Sequence, residues 1–189
     1  MPNTFIFDFF GVICSEIAPF WLRRYFSDEE ANAIKSNIVG KADTGAITCE
    51  EMYQQLGEIA HVSPSQVEAE WYDLAVIDAQ VVNLVHVLKS TYRVVLLSNA
   101  PAPFLYRLLE ANQLTSLFET ITVSSEQHIA KPDPAIYMYL LQELGINAQD
   151  AIMIDDNPRN VAGAQNVGIQ GIHYTDYKKL CEDLREYGV

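Results

Sequence analysis

Basic residues are scarce in this sequence. Its 189 residues include 12 lysines and arginines against 25 aspartates and glutamates, which gives a formal net charge of −13 at pH 7. Proteins that bind nucleic acids need clustered lysine and arginine to meet the phosphates, and proteins that bind anionic membranes need the same. We therefore expect neither a nucleic acid nor a membrane as a partner.

Cysteines and long apolar stretches are also few. The three cysteines, Cys14, Cys49 and Cys181, are scattered and odd in number, so they show neither metal-ligand spacing nor a disulfide framework. The apolar stretch 5–14 is interrupted by Asp8, and no stretch approaches the roughly 20 apolar residues of a membrane-spanning helix. Because the N-terminus also lacks the features of a signal peptide, we expect a protein of the reducing cytoplasm.

What the sequence has in abundance is apolar material. Apolar and aromatic residues make up 49% of the chain, and aromatic residues alone make up 11%. This is enough for a sizeable hydrophobic core and argues against a disordered chain. At this length the expected organisation is one domain with a modest insertion.

Short apolar runs recur along the chain and are typical of buried β-strands. The candidate strands are Thr4–Phe7, Arg93–Leu97, Thr120–Ser124, Ala151–Ile154 and, more weakly, Gly171–Tyr174. Segments with apolar residues at helical spacing separate the later strands. Strands that are apolar throughout and alternate with helices predict an α/β fold with a doubly wound, Rossmann-like parallel sheet.

The segment 15–75 breaks this alternation. It contains no convincing strand, but it has three candidate helix starts in which a serine or threonine precedes a glutamate or glutamine by three residues. These pairs are Ser27 with Glu30, Thr48 with Glu51, and Ser63 with Gln66. We predict that 15–75 is an all-helical insertion after the first strand and that 1–14 and 76–189 form the core domain. In the alternative hypothesis these helices are peripheral parts of one compact domain.

Polar residues follow the first four predicted strands. They are Asp8, then Ser98 and Asn99, then Lys131, then Asp155 and Asp156. Taken singly, most have a simple structural role at a turn or at the start of a helix. Asp8 is harder to explain in this way, because it lies in an apolar stretch, where an ionised carboxylate is rare unless it is paired or binds a metal.

As a group, these residues predict one site, because the carboxyl ends of parallel strands meet at the same edge of a sheet. The three carboxylates, from Asp8, Asp155 and Asp156, suit Mg²⁺, which prefers oxygen ligands. The lysine, the hydroxyl group of Ser98 and nearby backbone amides suit an anion. The sequence therefore predicts a site for a magnesium ion and an anionic substrate.

The same residues carry a resemblance to a known family. The ordered motifs are Phe7-Asp8-Phe9-Phe10-Gly11-Val12, Ser98-Asn99, Lys131-Pro132, and Asp155-Asp156 with Asn160. They resemble the four motifs of the haloacid dehalogenase superfamily, and the resemblance spans nearly the whole chain. The helical insertion lies where that family has its cap domain. The resemblance implies an Mg²⁺-dependent phosphatase that acts on a small phosphorylated molecule.

The resemblance also implies roles for the two acidic motifs. Asp8 would be the nucleophile that forms an aspartyl-phosphate, which water then hydrolyses. The Asp8 carboxylate and the backbone carbonyl of Phe10 would coordinate Mg²⁺. Asp156 would be a direct metal ligand, and Asp155 would bind the metal through water or orient Lys131.

The two remaining motifs would bind the phosphoryl group. In this interpretation the Ser98 hydroxyl and the amide of Asn99 hold phosphoryl oxygens. Lys131 would neutralise charge on Asp8 and on the transition state.

The chain departs from the family at Phe10. Most phosphatases of the family have a second aspartate at this position, which acts as general acid and base. A phenyl ring transfers no proton, and general acid–base catalysis is typically worth about 10²–10⁴ in rate.

Three functions remain compatible with Phe10. The first is a phosphatase whose leaving group departs with little protonation. The second is a 2-haloacid dehalogenase, since such relatives have an aromatic residue at this position, although Asp155 and Asp156 would repel a carboxylate substrate. The third is a binding protein with weak or no catalytic activity. The predicted metal site favours the phosphatase.

A few charged residues outside the motifs are further candidates for the site. Arg23 and Arg24 either reach the substrate or pair with acidic neighbours on a solvated face, and the second alternative is favoured. Lys41 and Asp43 lie between two glycines, in a stretch that we interpret as a mobile loop of the insertion. His128 is interpreted as a loop residue at the rim of the site.

Overall fold

The structure is a computed structural model that describes residues 2–188. Five parallel strands form one sheet in the order β3-β2-β1-β4-β5. Their bounds are β1 (Thr4–Phe7), β2 (Arg93–Ser98), β3 (Thr120–Val123), β4 (Ala151–Asp155) and β5 (Gln170–His173). The predicted α/β fold with a doubly wound parallel sheet is confirmed.

The strand ends differ slightly from the prediction. The first strand has the predicted bounds, whereas each of the other four is displaced by one residue at one or both ends. β2 extends to Ser98 and β4 to Asp155, because the parallel ladders continue through these residues to Val123 and His173. Ser98 and Asp155, two polar residues of the predicted site, are therefore the last residues of their buried strands.

Eleven α-helices accompany the sheet in the part of the chain that the structure describes. They are α1 (Ala18–Leu22), α2 (Asp28–Ile34), α3 (Gly40–Asp43), α4 (Cys49–Ala60), α5 (Pro64–Leu74), α6 (Ala79–Lys89), α7 (Ala102–Ala111), α8 (Ser124–Gln127), α9 (Pro134–Leu144), α10 (Pro158–Asn166) and α11 (Tyr177–Arg185). None of them is long and apolar enough to cross a membrane.

Both faces of the sheet are covered. Side chains of a strand alternate between the two faces, and accordingly Phe5 and Phe7 of β1 belong to one hydrophobic cluster while Ile6 belongs to a second. The first cluster also contains Trp21 and Met52 of the helices between β1 and β2. Those helices thus share a continuous apolar interior with one face of the sheet.

The helix starts expected in the segment 15–75 are present. Ser27 and Thr48 each form the reciprocal pair of hydrogen bonds with the glutamate three residues later. Ser63 accepts a hydrogen bond from the Gln66 backbone N–H, but the reciprocal bond is absent there. The Gln66 side chain instead donates to Glu70, one helical turn further on.

The interpretation of residues 40–45 as a loop is wrong for its first part. Helix α2 continues through a π-helical turn, Lys35–Val39, directly into α3, which ends at Asp43. The chain then turns at Gly45, which has a φ of +69°. A side chain at the end of a helix has a defined position, so Asp43 is not part of a loose segment.

The two ends of the helical segment are hydrogen-bonded to each other. The Ser15 N–H donates to the carbonyl of Val76, and the Ser15 hydroxyl donates to the carbonyl of Leu74 and accepts from the N–H of Val76. Cys14 and Ile77 form an antiparallel bridge beside them. The chain therefore leaves and re-enters the sheet region at adjacent points, and the division into a core domain and a cap domain stays a prediction.

Replacing Thr48 by alanine tests how much a helix start contributes to stability. The Thr48 hydroxyl accepts from the N–H of Glu51 at the start of α4, and loss of such a cap typically costs about 1 kcal/mol. We expect thermal or denaturant unfolding of Thr48→Ala to report that loss. Ser36→Ala is the control, because the exposed Ser36 hydroxyl bonds only to a helical carbonyl. Equal stabilities of the two variants would contradict the expectation.

Candidate active site

A cavity of about 260 Å³ lies at the carboxyl edge of the sheet. Its wall on the sheet side includes Asp8, Lys131 and Asp156, and its wall on the other side includes Val39 and Trp71 of the helical segment. Ligands of open α/β sheets bind at this edge, where the connections from neighbouring strands run in opposite directions. Here that point is between β1 and β4.

Asp8 directly follows β1 and is held by the adjacent strand. Its N–H donates to the carbonyl of Ile154 in β4 at 2.9 Å, and its Oδ1 accepts the N–H of Phe9 at 2.7 Å. The side chain is 9% exposed. Asp8 is therefore fixed at the floor of the cavity with a small part of its carboxylate accessible.

Lys131 is the centre of the polar interactions at this edge. Its Nζ lies 2.9 Å from Oδ1 of Asp8 and 2.7 Å from Oδ2 of Asp155, and it donates to the carbonyl of Leu97 at 2.8 Å. The Lys131 side chain is completely buried. One ammonium group thus connects the ends of β1, β2 and β4.

The Asn99 side chain holds the backbone of Lys131 in place. Its side-chain amide donates to the Lys131 carbonyl at 2.8 Å and accepts the Lys131 N–H at 2.9 Å. Ser98, one residue earlier, has a buried hydroxyl with no hydrogen-bond partner among the described residues. An unpaired buried hydroxyl is costly. Ser98 itself is fully buried and does not line the cavity, whereas its neighbour Asn99 does.

The three aspartates converge. Asp8, Asp155 and Asp156 each offer a carboxylate oxygen, and these oxygens lie within 4.8 Å of one another. Asp155 is the most constrained, because it also accepts hydrogen bonds from the N–H of Asn157 and from the side chain of Asn160. Asp156 makes no such side-chain bond within the described residues and lines the cavity.

The convergence has an electrostatic cost. Burial and the Asp155 charge raise the pKa of Asp8 well above its usual value, and Lys131 offsets only part of this effect. Burial, with help from Glu16 and Asp155, raises the pKa of Asp156 to about 6. For Lys131, burial disfavours the charged form, but Asp8 and Asp155 outweigh it and raise its pKa.

The balance of charge fits a divalent cation. Three carboxylates against one ammonium group leave two uncompensated negative charges, and a bound ion with two positive charges would balance them. The carbonyl oxygen of Phe10, in the loop beside Asp8, accepts no hydrogen bond from any described residue. Carboxylate and carbonyl oxygens are the donor set that Mg²⁺ prefers.

Gly11 allows the two acidic motifs to meet. It has a φ of +84°, and a Cβ atom built at this position would lie 2.3 Å from Cγ and Oδ2 of Asp156. No side chain fits there unless Asp156 moves. Gly11 is therefore a requirement for the position of Asp156 as well as for the turn.

The Phe10 ring forms part of an apolar wall. It stacks on Phe104 with ring centroids 5.9 Å apart and an interplanar angle of 7°. Trp71 of α5 contacts the same Phe104 edge to face at 5.6 Å. Phe10 thus packs on α7, and Phe104 of α7 in turn contacts the helical segment through Trp71.

Four charged residues that the motifs did not predict also line the cavity. They are Glu16, Lys35, Asp43 and Arg159. Glu16 lies close in sequence to Asp8, and Arg159 lies close to Asp156. This proximity to predicted site residues could have identified them as candidates. Lys35 and Asp43 are brought in by the continuous helix from α2 to α3, so nothing local in the sequence indicated them.

The other charged residues considered from sequence lie outside the cavity. Arg23 forms an exposed ion pair with Asp28 at 2.9 Å, which is the alternative that the sequence favoured. Arg24 and Lys41 are exposed and do not line the cavity. The exposed His128 places its Nδ1 3.0 Å from the carbonyl of Thr44.

Substitution of Gly11 by alanine tests the contact with Asp156. Gly145→Ala is the matched control, because Gly145 also has a positive φ but has no neighbouring atoms where a Cβ would lie. Both variants should lose about 1–2 kcal/mol of stability to backbone strain. Only Gly11→Ala should also weaken Mg²⁺ binding, by roughly 10–100-fold, because it displaces the carboxylate of Asp156, a predicted metal ligand. Calorimetric titration with MgCl₂ measures this, and equal affinities for both variants would contradict it.

Comparison with known proteins identifies relatives of this chain. A family model described as haloacid dehalogenase-like hydrolase matches residues 2–168. The sesquiterpene phosphatase astK of Aspergillus oryzae is 31% identical over 157 residues, covering 81% of this chain and 80% of that protein. The (S)-2-haloacid dehalogenase 4A of Burkholderia cepacia is 30% identical over 86 residues, covering 45% of this chain and 37% of that protein.

A solved structure is similar over nearly the whole chain. It is a haloacid dehalogenase family enzyme of Bacteroides thetaiotaomicron in complex with magnesium and inorganic phosphate, with a TM-score of 0.79 and 25% identity over 95% of this chain and 99% of that one. The predicted family is confirmed: this chain belongs to the haloacid dehalogenase-like hydrolases.

Proposed function

We propose that this hydrolase is an Mg²⁺-dependent phosphatase that forms an aspartyl-phosphate on Asp8. The observation that carries the proposal is the arrangement of Asp8 beside Lys131, with the Asp155 and Asp156 carboxylates next to them, at the floor of a cavity. A nucleophilic carboxylate, a fixed positive charge and a donor set for a hard cation are the components that phosphoryl transfer to an aspartate needs.

Asp8 attacks phosphorus and is then released when water hydrolyses the aspartyl-phosphate. For the attack, the carboxylate must be ionised and must approach an anionic substrate. Lys131, with its Nζ 2.9 Å from Oδ1 of Asp8, holds one oxygen and leaves the other for the reaction. Asp8, Asp156 and the Phe10 carbonyl would hold Mg²⁺, and Asp155 would bind it through water or orient Lys131; the ion would supply the remaining positive charge at the site.

The phosphoryl group is assigned to the end of β2. There the Ser98 hydroxyl has no partner among the described residues, and the Asn99 side chain is occupied with the backbone of Lys131. We therefore assign phosphoryl oxygens to the Ser98 hydroxyl, to the backbone amide of Asn99 and to Lys131.

The proposed substrate is a phosphate ester with a small, apolar organic group. Aromatic and aliphatic side chains line the cavity beyond the carboxylates, including Phe10, Ile17, Val39, Trp71 and Phe104. Burial of such a group on binding is favourable in proportion to its apolar area. The name of the Aspergillus oryzae relative, a sesquiterpene phosphatase, agrees with this class of leaving group.

We also propose that residues 15–75 act as a cap domain over the site. Their side chains supply much of the apolar wall of the cavity, so the cap selects the organic group while the sheet edge carries out the chemistry. A covering segment also excludes water that would compete during transfer.

Dehalogenation of a 2-haloacid is the second candidate. The Burkholderia cepacia relative bears that activity in its name, and an aromatic side chain stands at position 10. The excess negative charge at Asp8, Asp155 and Asp156 weighs against a substrate that is itself a carboxylate.

The main test is Asp8→Asn, assayed for phosphate release from p-nitrophenyl phosphate with MgCl₂ and with a chelator. Wild type should be active only with the metal, and Asp8→Asn should lose activity by at least about 10³-fold, because an amide is not a nucleophile. Asp28→Asn makes the same change at an exposed site and is the control. Halide release from 2-chloropropionate that is insensitive to chelator would instead support the dehalogenase. No turnover in either assay would contradict both.

Removal of the Asp8 charge should also change stability. Because burial and Asp155 raise the pKa of Asp8, ionised Asp8 destabilises the metal-free fold at pH values above that raised pKa. We expect the melting temperature of Asp8→Asn in chelator at pH 7.5 to equal or exceed that of wild type. We also expect MgCl₂ to stabilise wild type more than Asp8→Asn. A large loss of stability in Asp8→Asn would show that the Asp8–Lys131 pair is mainly structural.

A further inference from the structure

Asp43, at the end of α3, is a carboxylate that the proposed chemistry has not yet used. It lines the same cavity as Asp8 and Phe10. Within the described residues, its carboxylate forms no hydrogen bond and no ion pair, and only its backbone carbonyl accepts a hydrogen bond, from the Ser124 hydroxyl. An acidic group that faces a cavity without a partner is a candidate functional group.

The position of Asp43 is fixed by contacts with the sheet side. The Ser124 hydroxyl that donates to the Asp43 carbonyl also accepts the N–H of Ala100, which directly follows Asn99. A Cβ atom at Gly45 would lie 2.4 Å from the Ser125 carbonyl, so the two backbones are in close contact. The Ser124 hydroxyl therefore links the end of α3 to the loop that follows β2.

The charged groups around Asp43 come from three directions. Lys35 and Glu16 face it from the helical side, Lys131 from the sheet side, and His128 contacts the carbonyl of the next residue, Thr44. Burial raises the pKa of Asp43 to about 7, with Glu16 adding to this effect and Lys35 and Lys131 opposing it. Near neutral pH, a large fraction of Asp43 thus carries a proton that it can donate.

The proposed phosphatase lacks such a donor near Asp8. Phe10 occupies the position of the usual acid and its ring cannot transfer a proton. Alkoxide leaving groups need a proton as the bond to phosphorus breaks, whereas a nitrophenolate does not. Asp43 lines the same cavity as the apolar side chains to which the organic group is assigned.

We propose that Asp43 is the general acid and base of this enzyme and replaces, from the helical segment, the acid that is missing at position 10. The assignment rests on the proposed phosphatase function. In the first step an Asp8 oxygen bonds to phosphorus, the bond from phosphorus to the ester oxygen breaks, and that oxygen takes the proton of Asp43 to leave as the alcohol. In the second step water attacks the aspartyl-phosphate, Asp43 accepts its proton, and Asp8 and inorganic phosphate are released.

The test compares two leaving groups in wild type and Asp43→Asn, with hexyl phosphate and p-nitrophenyl phosphate as substrates in MgCl₂. The kcat/KM reports the first step alone, up to release of the alcohol, whereas the second step is the same for both substrates. The kcat/KM for hexyl phosphate should fall by about 10²–10⁴-fold in the variant, because its alkoxide needs the proton. The kcat/KM for p-nitrophenyl phosphate should fall by less than about tenfold. An equal loss of kcat/KM on both substrates, or no loss on hexyl phosphate, overturns the assignment.

Two further variants make the comparison specific. Asp43→Glu keeps a carboxyl group and should recover part of the activity on hexyl phosphate. Glu16→Gln removes a different carboxylate of the same cavity. Because Glu16 only adds to the raised pKa of Asp43, this variant should change the ratio of the two activities far less than Asp43→Asn does. A selective loss on hexyl phosphate in Glu16→Gln, with none in Asp43→Asn, would assign the acid to Glu16 instead.

The pH profile provides an independent measurement. For wild type, kcat/KM on hexyl phosphate should decline above a pKa of about 7, since the protonated form of Asp43 is the active one. In Asp43→Asn this decline should disappear, and its persistence would overturn the assignment.

Failure of the two proposals can be told apart. If wild type releases no phosphate from p-nitrophenyl phosphate with Mg²⁺, the phosphatase proposal fails and the role of Asp43 fails with it. If wild type is active and the ratio of its activities on the two substrates is unchanged in Asp43→Asn, only the role of Asp43 fails.

Discussion

The site depends on one buried ammonium group. The Lys131 Nζ contacts carboxylates at the ends of two strands, Asp8 and Asp155, and the carbonyl of Leu97 on a third. Without it, the three converging carboxylates at the sheet edge would repel one another with no positive charge between them. With it, the edge keeps an excess of negative charge that a divalent ion can satisfy. The same contacts therefore hold three strand ends together and leave a negatively charged cavity beside them.

The backbone makes this concentration of charge possible. The parallel ladder aligns the ends of β1 and β4, Gly11 leaves room for the Asp156 carboxylate, and Asn99 ties the backbone of Lys131 to the end of β2. None of these features donates or accepts a proton in the proposed reaction. They set the positions of the groups that do, and precise positioning is a large part of catalytic power.

The sheet and its polar edge could be predicted because their signals are local. Apolar runs predict the strands, and Asp8 is conspicuous within one of them. The position of Asp43 could not be predicted, because it depends on a helix that continues through a π-helical turn and on a contact with Ser124, 81 residues away. The stacking of Phe10 on Phe104 is equally non-local. Sequence patterns indicate elements, whereas contacts between distant elements follow from packing of the whole chain.

The connection through Ser15 has an evolutionary consequence. Because the polypeptide departs and returns through hydrogen-bonded neighbours, Ser15 and Val76, a change of length between them leaves the two ends of the stretch in place beside the strands. Under the proposed cap function, descendants of one ancestral gene would acquire new substrates through changes in this stretch. The proposed acid, Asp43, lies in the same stretch, so that the proton donor and the specificity for the organic group would be inherited together.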